Sequence, residues 1–174
     1  PGMLMLKNEG RGQLFVTLTT KVVPLRDSLP AVEQNIKLDV TYTDADGQRV
    51  DVTRLKQGTD LVAVIKVTNT QAATDLTNLA LTQIVPSGWE IYNERLVVPE
   101  DTEAAAATTY TYRDIRDDRV LTYFDLKRGE TKVFRVRLQA SYAGVFVLPA
   151  VQCGAMYDNN VQARTRAARV TVER

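Results

Sequence analysis

The sequence predicts an all-β protein, built as an antiparallel two-sheet sandwich. Apolar and polar residues alternate over many short segments, which is the pattern of half-buried strands. Asp, Gly and Pro residues separate these segments, as they do in turns between strands. The run AAAA at 104–107 favours a helix, but it is too short to form one alone. We interpret it as part of a loop or helical turn across 97–113, so no long helix is expected.

The strands are predicted in chain order from this alternation. The first is QLFVTLTT at 13–20, and the second is IKLDVTYT at 36–43, which the turn sequence DADG follows. Seven further strands are predicted at 61–70, 78–86, 89–96, 119–126, 132–141, 144–157 and 161–173. Pro149 should break or bulge the strand at 144–157, because proline cannot donate a hydrogen bond to a neighbouring strand.

Two segments share the form Leu-Lys-x-Gly followed by a strand. They are RLKQGTDLVAVIKVTN at 54–69 and DLKRGETKVFRVRLQA at 125–140. A duplicated domain would need a longer match than this. We therefore predict that the same kind of turn leads into two strands of one sandwich.

Length and charge restrict the classes of partner. The chain has 174 residues, which suits one domain or one domain with an appendage. Its net charge is +1 with both signs mixed along the sequence, so no nucleic-acid surface is predicted. No apolar run approaches the ~20 residues of a membrane span, and we expect no direct membrane contact by this fragment.

The residue types that the chain lacks argue against an enzyme. There is no histidine, which removes the common base of nucleophilic catalysis and the commonest metal ligand. The single cysteine, Cys153, has neither an imidazole nor a second cysteine to activate it, and is expected to be a buried strand residue. We predict no catalytic residue and no cofactor.

Two further motifs have plain structural interpretations. The segment DIRDDR places Asp114, Asp117 and Asp118 beside Arg116 and Arg119. These carboxylates lack the alternating oxygens, central glycine and distal glutamate of a calcium loop. We expect a solvated loop with local ion pairs and no metal. The other motif is PSGW, whose tryptophan is expected to fill one end of a core.

An ordered set of segments resembles the C-terminal region of bacterial alpha-2-macroglobulins. The segments are LKQGTDLVAVIKVTN, LALTQIVPSGWEIYN, DIRDDRVLTYFDL, GETKVFRVRL and YAGVFVLPAVQCGAMYD, and the resemblance runs from about residue 13 to 173. Members of that family are large periplasmic or cell-surface protease traps. A protease cleaves a bait segment, and a separate domain then exposes a Cys–Gln thioester that acylates the protease.

The resemblance implies a role for this segment within such a trap. It is similar to the last macroglobulin-like domain, a β-sandwich that packs over the thioester and shields it from water. The Met-Tyr pair of the family's AMYD motif lies at that contact, and the matching residues here are Met156 and Tyr157. The implied partner is the thioester-containing domain of the same full-length chain, with target proteases bound only by the full-length protein. Cys153 lies in CGAM rather than in a Cys-x-x-Gln frame, so it is not the thioester cysteine.

These expectations give a domain plan and a location. Residues 1–30 are interpreted as an N-terminal strand and linker from the preceding domain, and residues 31–174 as the macroglobulin-like sandwich. Asp114, Arg116, Asp117, Asp118 and Arg119 are candidates for an interdomain loop. The full-length protein is expected in the periplasm or cell envelope, membrane-anchored at its distant N-terminus. The alternative interpretation is a generic immunoglobulin-like stalk or adhesin module of a secreted protein.

Overall fold

The structure, a computed structural model, describes residues 3–21, 30–92 and 109–174. Within these residues there is no helix, and every regular element is a β-strand. The strands are β1 (Val32–Gln34), β2 (Ile36–Thr43), β3 (Arg54–Lys56), β4 (Thr59–Asn69), β5 (Leu76–Ile84), β6 (Trp89–Ile91), β7 (Tyr112–Ile115), β8 (Arg119–Leu126), β9 (Thr131–Ala140), β10 (Gly144–Leu148), β11 (Gln152–Ala155), β12 (Gln162–Arg164) and β13 (Ala168–Glu173). The predicted all-β sandwich is confirmed.

The strands form three hydrogen-bonded sheets. The large sheet has the order β1-β12-β11-β5-β8-β7, and the four-stranded sheet has the order β2-β4-β9-β6. All neighbours in these two sheets are antiparallel. The small third sheet has the order β10-β13-β3, in which β13 and β3 run parallel. The antiparallel class predicted from sequence thus holds for the two large sheets, with one parallel pair outside them.

The shared Leu-Lys-x-Gly motif forms the same local conformation twice. Gly58 and Gly129 both have φ in the left-handed region, at 83° and 69°. Glycine adopts this conformation without the steric cost that a Cβ atom would add. Each glycine leads into a long strand, β4 or β9, and these two strands pair along ten residues from Thr59↔Ala140 to Thr68↔Thr131. The prediction of one turn type entering two strands of one fold is confirmed.

The buried side chains form two core clusters. The first contains residues of the large sheet and the four-stranded sheet, among them Leu79, Phe124 and Phe134. The second contains residues of all three sheets, among them Trp89 and Val170. On β5 and β8 the buried polar residues Gln83 and Thr122 lie between members of the two clusters. The core therefore has two apolar clusters, which these two buried polar residues separate on β5 and β8.

Five of the predicted strands appear with shifts of no more than two residues at either end. They are β2, β4, β5, β8 and β9, and the bounds of β2 and β8 agree with the prediction at both ends. The break at Pro149 is also confirmed, because the predicted strand 144–157 is divided into β10 and β11.

Other strand predictions are corrected by the structure. Residues 13–20 form no strand, and the side chains of Leu14, Phe15 and Leu18 are exposed. The segment 161–173 contains two strands, β12 and β13, rather than one. Residues 165–167 form no strand and connect β12 in the large sheet to β13 in the small third sheet. Beyond Tyr92 the segment predicted as a strand at 89–96 lies outside the described residues, as do 97–108 of the predicted loop.

Three short strands were not predicted. β1, β3 and β7 have three or four residues each, and their burial does not alternate over enough positions to give a period-2 signal. β7 overlaps both the predicted loop at 97–113 and the start of DIRDDR. It forms because it pairs with β8 in a hairpin, an interaction that its own sequence does not reveal.

Candidate functional site

Met156 and Tyr157 lie on a loop between two paired strands. β11 and β12 form an antiparallel hairpin, and residues 156–161, the hairpin tip, connect them. Tyr157 is 85% exposed and Met156 is 47% exposed. A tyrosine so accessible adds almost nothing to the core of its own domain. Both side chains are therefore free to contact a partner.

Backbone and side-chain hydrogen bonds give the hairpin tip a defined conformation. Ala155 N donates to Val161 O at 3.0 Å, which closes the neck of the hairpin. Within the loop, Val161 N donates to Asp158 O at 3.1 Å, and the Asp158 carboxylate accepts from Asn160 N at 2.9 Å. An aspartate that bonds a backbone N–H two residues on is a common turn device. The carboxylate of Asp158 is thus engaged inside the loop.

Neighbouring elements hold the hairpin tip on two sides. On one side, Met156 N donates to the carbonyl of Asn78 on β5 at 3.0 Å. On the other, the carbonyl of Asn160 accepts from Asn35 Nδ2 at 2.9 Å, and Asn35 lies between β1 and β2. The sequence had not singled out either asparagine. Asparagine is common in turns, so composition alone offers no signal that these two meet the same loop.

Cys153 lies in the core beneath the hairpin tip. It is 2% exposed, and on β11 it pairs with Leu81 on one side and Ala163 on the other. Burial raises the pKa of its thiol to about 12, because the apolar surroundings disfavour the thiolate. The prediction that Cys153 is a buried strand residue is confirmed.

Cys153 should therefore react slowly with thiol reagents in the native protein. The thiolate is the reactive form, and both burial and the raised pKa suppress it. We expect labelling by a small disulfide reagent at pH 8 to be at least about a hundredfold slower than in denaturant, since it needs local opening. Mass spectrometry after quenching measures the extent of labelling. Rapid stoichiometric labelling without denaturant would contradict the prediction.

The DIRDDR segment, which was predicted as a solvated loop with local ion pairs, forms the turn of the β7–β8 hairpin. Asp114 lies in β7 and Arg119 is the first residue of β8. Between the two strands, Arg116 N donates to Arg119 O at 2.9 Å. The predicted ion pairs are present, with Arg116 to Asp114 at 2.8 Å and Arg119 to Asp118 at 2.6 Å. The bonds from Arg119 lower the pKa of the Asp118 carboxyl. These pairs are solvent-exposed, so water and salt screen them and they contribute little to stability.

The two predicted sites lie at opposite ends of the large sheet. On β5, Leu79 pairs with Ala155 next to the hairpin tip, and Ile84 pairs with Arg119 at the DIRDDR turn. These two positions are five residues apart along β5, which is roughly 17 Å at 3.3–3.4 Å per residue. The structure therefore does not bring Met156 and Tyr157 together with the DIRDDR carboxylates.

Among the described residues, no cluster of three or more potential ligands of the His, Cys, Asp and Glu types is arranged to hold a metal ion. A search of the same residues for a helix long and apolar enough to cross a membrane finds none.

A family model and two relatives from bacteria relate the chain to alpha-2-macroglobulins. The model of the bacterial alpha-2-macroglobulin MG10 domain matches residues 36–160. An alpha-2-macroglobulin homolog of Yersinia pestis is 28% identical over 152 residues, which is 76% of this chain and 7% of that protein. The alpha-2-macroglobulin of Rickettsia conorii is 25% identical over 138 residues, covering 78% of this chain and 7% of that protein. The chain thus spans less than a tenth of the length of either relative.

A solved structure has a similar fold. The crystal structure of Salmonella alpha-2-macroglobulin reacted with methylamine superposes with a TM-score of 0.74 at 17% identity, covering 84% of this chain and 10% of that one. At this level of identity the similarity concerns the fold. The segment matched by the family model ends at residue 160, within the hairpin tip, so the match includes Met156 and Tyr157.

Proposed function

Because this chain belongs to the bacterial alpha-2-macroglobulin MG10 domain family, we propose that it is a non-catalytic domain of a larger protease inhibitor of that type. In this proposal it stands near the C-terminus of the inhibitor, in the periplasm or cell envelope. Its partner is the thioester-containing domain of the same full-length chain. Target proteases are bound by the full-length protein, of which this segment would be a small part.

The specific role proposed for the domain is to cover the thioester with its hairpin tip. A thioester is consumed by water and by small amines, so it survives only where both are kept away. A cover needs large side chains with little polar surface, and methionine and tyrosine meet that need. The observation that carries the proposal is the 85% exposure of Tyr157 on a loop whose backbone is fixed by hydrogen bonds.

The chemistry around the hairpin tip also suits contact with a reactive acyl group. A lysine amine or an accessible thiolate beside a thioester would attack it. Residues 150–163 contain no lysine, and their one thiol belongs to Cys153, which is buried and has a pKa raised to about 12. The charge of Asp158 is engaged within the loop. This segment would therefore offer neither a lysine amine nor an accessible thiolate to the group that it covers.

The domain plan and the interdomain loop are two further proposals. We propose that residues 1–30 carry a strand and linker of the preceding domain, because 13–20 has a strand pattern and forms no strand here. Exchange of the backbone amides of 13–20 should then be slower in the full-length parent than in this chain, and equal rates would contradict this assignment.

For the DIRDDR turn, we propose a contact with a neighbouring domain. Reversing the charge of Asp117 should then lower the melting temperature of the parent more than that of this chain. Equal shifts would argue against an interdomain contact.

The test of the shielding role is the substitution Tyr157→Ala in the full-length parent protein. Removing the ring should open a path for small amines, so methylamine should consume the thioester faster than in wild type. Cleavage of a thioester by an amine leaves an amide and a free thiol, and the thiol is measured with a chromogenic reagent. Met156→Ala should act in the same direction more weakly, because neighbouring groups replace a flexible side chain more easily.

Two matched variants complete this test. Tyr157→Phe retains the ring and should keep the wild-type rate, and Tyr142→Ala removes a tyrosine that is 57% exposed outside the hairpin tip. Both should leave thioester consumption unchanged. Equal rates for Tyr157→Ala and wild type, with the same melting temperature, would refute the shielding role. A large drop in melting temperature for Tyr157→Ala would instead mean that the residue supports its own domain.

A further inference from the structure

Two asparagines adopt a rare backbone conformation beside the hairpin tip. Among the described residues, Asn35 and Asn78 are the only non-glycine residues with positive φ, at 60° and 56°. They lie on separate elements, yet each bonds to one side of the same loop. A left-handed backbone is uncommon outside glycine, and it persists only where the surrounding structure holds it. Finding both instances at one loop links this conformation to the hairpin tip.

Asn78 links three elements through its backbone. It lies at an irregularity of β5, where the pairing with β8 shifts between Leu76 and Leu79. Its N–H donates to Asp125 Oδ1 at 2.8 Å, and its carbonyl accepts from Met156 N at 3.0 Å. The irregularity therefore directs the N–H of Asn78 towards β8 and its carbonyl towards Met156, the first residue of the hairpin tip.

Asn35 contacts the other side of the loop through its side chain. It separates β1 from β2, and its Nδ2 donates to the carbonyl of Asn160 at 2.9 Å. The strand before it reinforces this contact, because Gln162 Nε2 donates to Gln34 Oε1 at 3.2 Å. The hairpin tip is thus bonded at its first residue by Asn78 and near its last residue by Asn35.

We propose that Asn35 and Asn78 are positioning residues that clamp the hairpin tip in a single conformation. The clamp presents Met156 and Tyr157 to the neighbouring domain at a fixed place, so little ordering is needed when the two domains meet. This inference rests on the proposed shielding role for its effect on the thioester. The conformational clamp itself does not depend on that role.

The clamp is tested first by amide hydrogen exchange in this chain, followed by NMR. Asn78→Ala disfavours the left-handed backbone, so exchange of the Met156 amide should accelerate at least about fivefold. Asn78→Gly tolerates that backbone and should keep the wild-type rate. Asp125→Ala should accelerate exchange of the Asn78 amide, whereas Asp125→Asn retains an acceptor oxygen. The proposal would be overturned if neither Asn78→Ala nor Asp125→Ala changed the exchange rates. It would also be overturned if Asn78→Ala and Asn78→Gly accelerated exchange of the Met156 amide equally.

A second variant covers the case in which Asn78→Ala does not fold. Asn35→Ala acts on the opposite side of the loop and removes the bond to Asn160. It should accelerate exchange of the amides of residues 158–161 while those of β4 keep their wild-type rates. Equal acceleration of the two sets would mean general destabilisation, which contradicts a local clamp.

The functional measurement uses the full-length parent and methylamine. Asn78→Ala should raise the rate of thioester consumption, and Asn78→Gly should restore it to that of wild type. If Tyr157→Ala has no effect on this rate, the shielding role is wrong, and the exchange experiment still decides the clamp. If Tyr157→Ala raises the rate but Asn78→Ala and Asn35→Ala do not, the hairpin tip shields without needing the clamp, and the proposed positioning role fails.

Discussion

Phe124→Ala should lower the free energy of unfolding by about 3–5 kcal/mol, as removal of a buried aromatic ring typically does. Phe124 is 1% exposed, and its ring lies 4.7 Å from the ring of Phe134 at an interplanar angle of 54°. The substitution therefore removes an aromatic contact between the large sheet and the four-stranded sheet, and leaves a cavity in the first core cluster. A domain of this size is stable by only about 5–15 kcal/mol, so the loss is a large fraction of the total.

The consequence of Phe124→Ala should reach the hairpin tip. Phe124 pairs with Leu79 on β5, and Leu79 pairs in turn with Ala155, the last residue before the tip. Exchange of the Met156 amide should therefore accelerate as well. Unfolding in denaturant, followed by circular dichroism, measures the stability. Phe124→Leu is the control, since it fills most of the site and should cost less than about 2 kcal/mol. Equal stabilities of Phe124→Ala and wild type would contradict the assigned core.

The long strands could be predicted because each contains several repeats of the alternation between apolar and polar residues. Every second residue is buried from Leu61 to Asn69 in β4 and from Phe134 to Ala140 in β9, and most of these residues are apolar in the sequence. β3 has one buried residue, Leu55, between two exposed ones, which is too little to form a pattern. Its position depends on parallel pairing with β13, more than a hundred residues away in the sequence. Short strands at sheet edges are set by their neighbours, and a local pattern cannot reveal them.

The segment 13–20 shows the opposite failure. Leu14, Val16 and Leu18 recur at every second position, with Phe15 between the first two, yet the segment forms no strand in this structure. A strand needs a neighbour to satisfy its backbone N–H and C=O groups, and a sequence pattern does not say whether that neighbour is in the same chain. Pattern alone therefore predicts which segments can pair, but not which of them find a partner.

The candidate site could be predicted in part. The sequence predicted that Cys153 is a buried strand residue, and its 2% exposure on β11 confirms this. The roles of Met156 and Tyr157 came from the resemblance and stay predictions. The contacts of Asn35 and Asn78 could not be predicted, because they join residues separated by 125 and 78 positions in the sequence from their partners Asn160 and Met156. Only the folded sheet brings these groups together.

Trp89→Ala should cost about as much as Phe124→Ala, roughly 3–5 kcal/mol, but at the other end of the core. Trp89 is 3% exposed and its ring meets that of Tyr42 edge-on, at 5.8 Å and 85°. It pairs with Ala140 at the end of β9, which agrees with the predicted role of filling one end of a core. Removing the buried indole therefore leaves a cavity at that end of the core.

The control Trp89→Phe separates ring packing from polar contacts. The indole Nε1 is buried and has no hydrogen-bond partner among the described residues, so losing it should add no cost beyond the lost volume. Circular dichroism in a denaturant series is the appropriate measurement, because Trp89 is the only tryptophan and its fluorescence disappears with it. Trp89→Phe should keep most of the stability, and a loss equal to that of Trp89→Ala would mean that the indole has an essential contact.

The comparison of Trp89→Ala with Phe124→Ala also tests the division of the core. Trp89 belongs to the second cluster, and Gln83 and Thr122 lie between the clusters on β5 and β8. Under native conditions, local exchange of the Met156 amide should therefore stay near the wild-type rate in Trp89→Ala and rise in Phe124→Ala, although both lower the global stability by similar amounts. A local opening next to the hairpin tip responds to the packing beneath it, whereas a defect at the far end acts only through global unfolding. Equal acceleration of the Met156 amide in the two variants would show that the core opens as one unit and that the hairpin tip has no local support of its own.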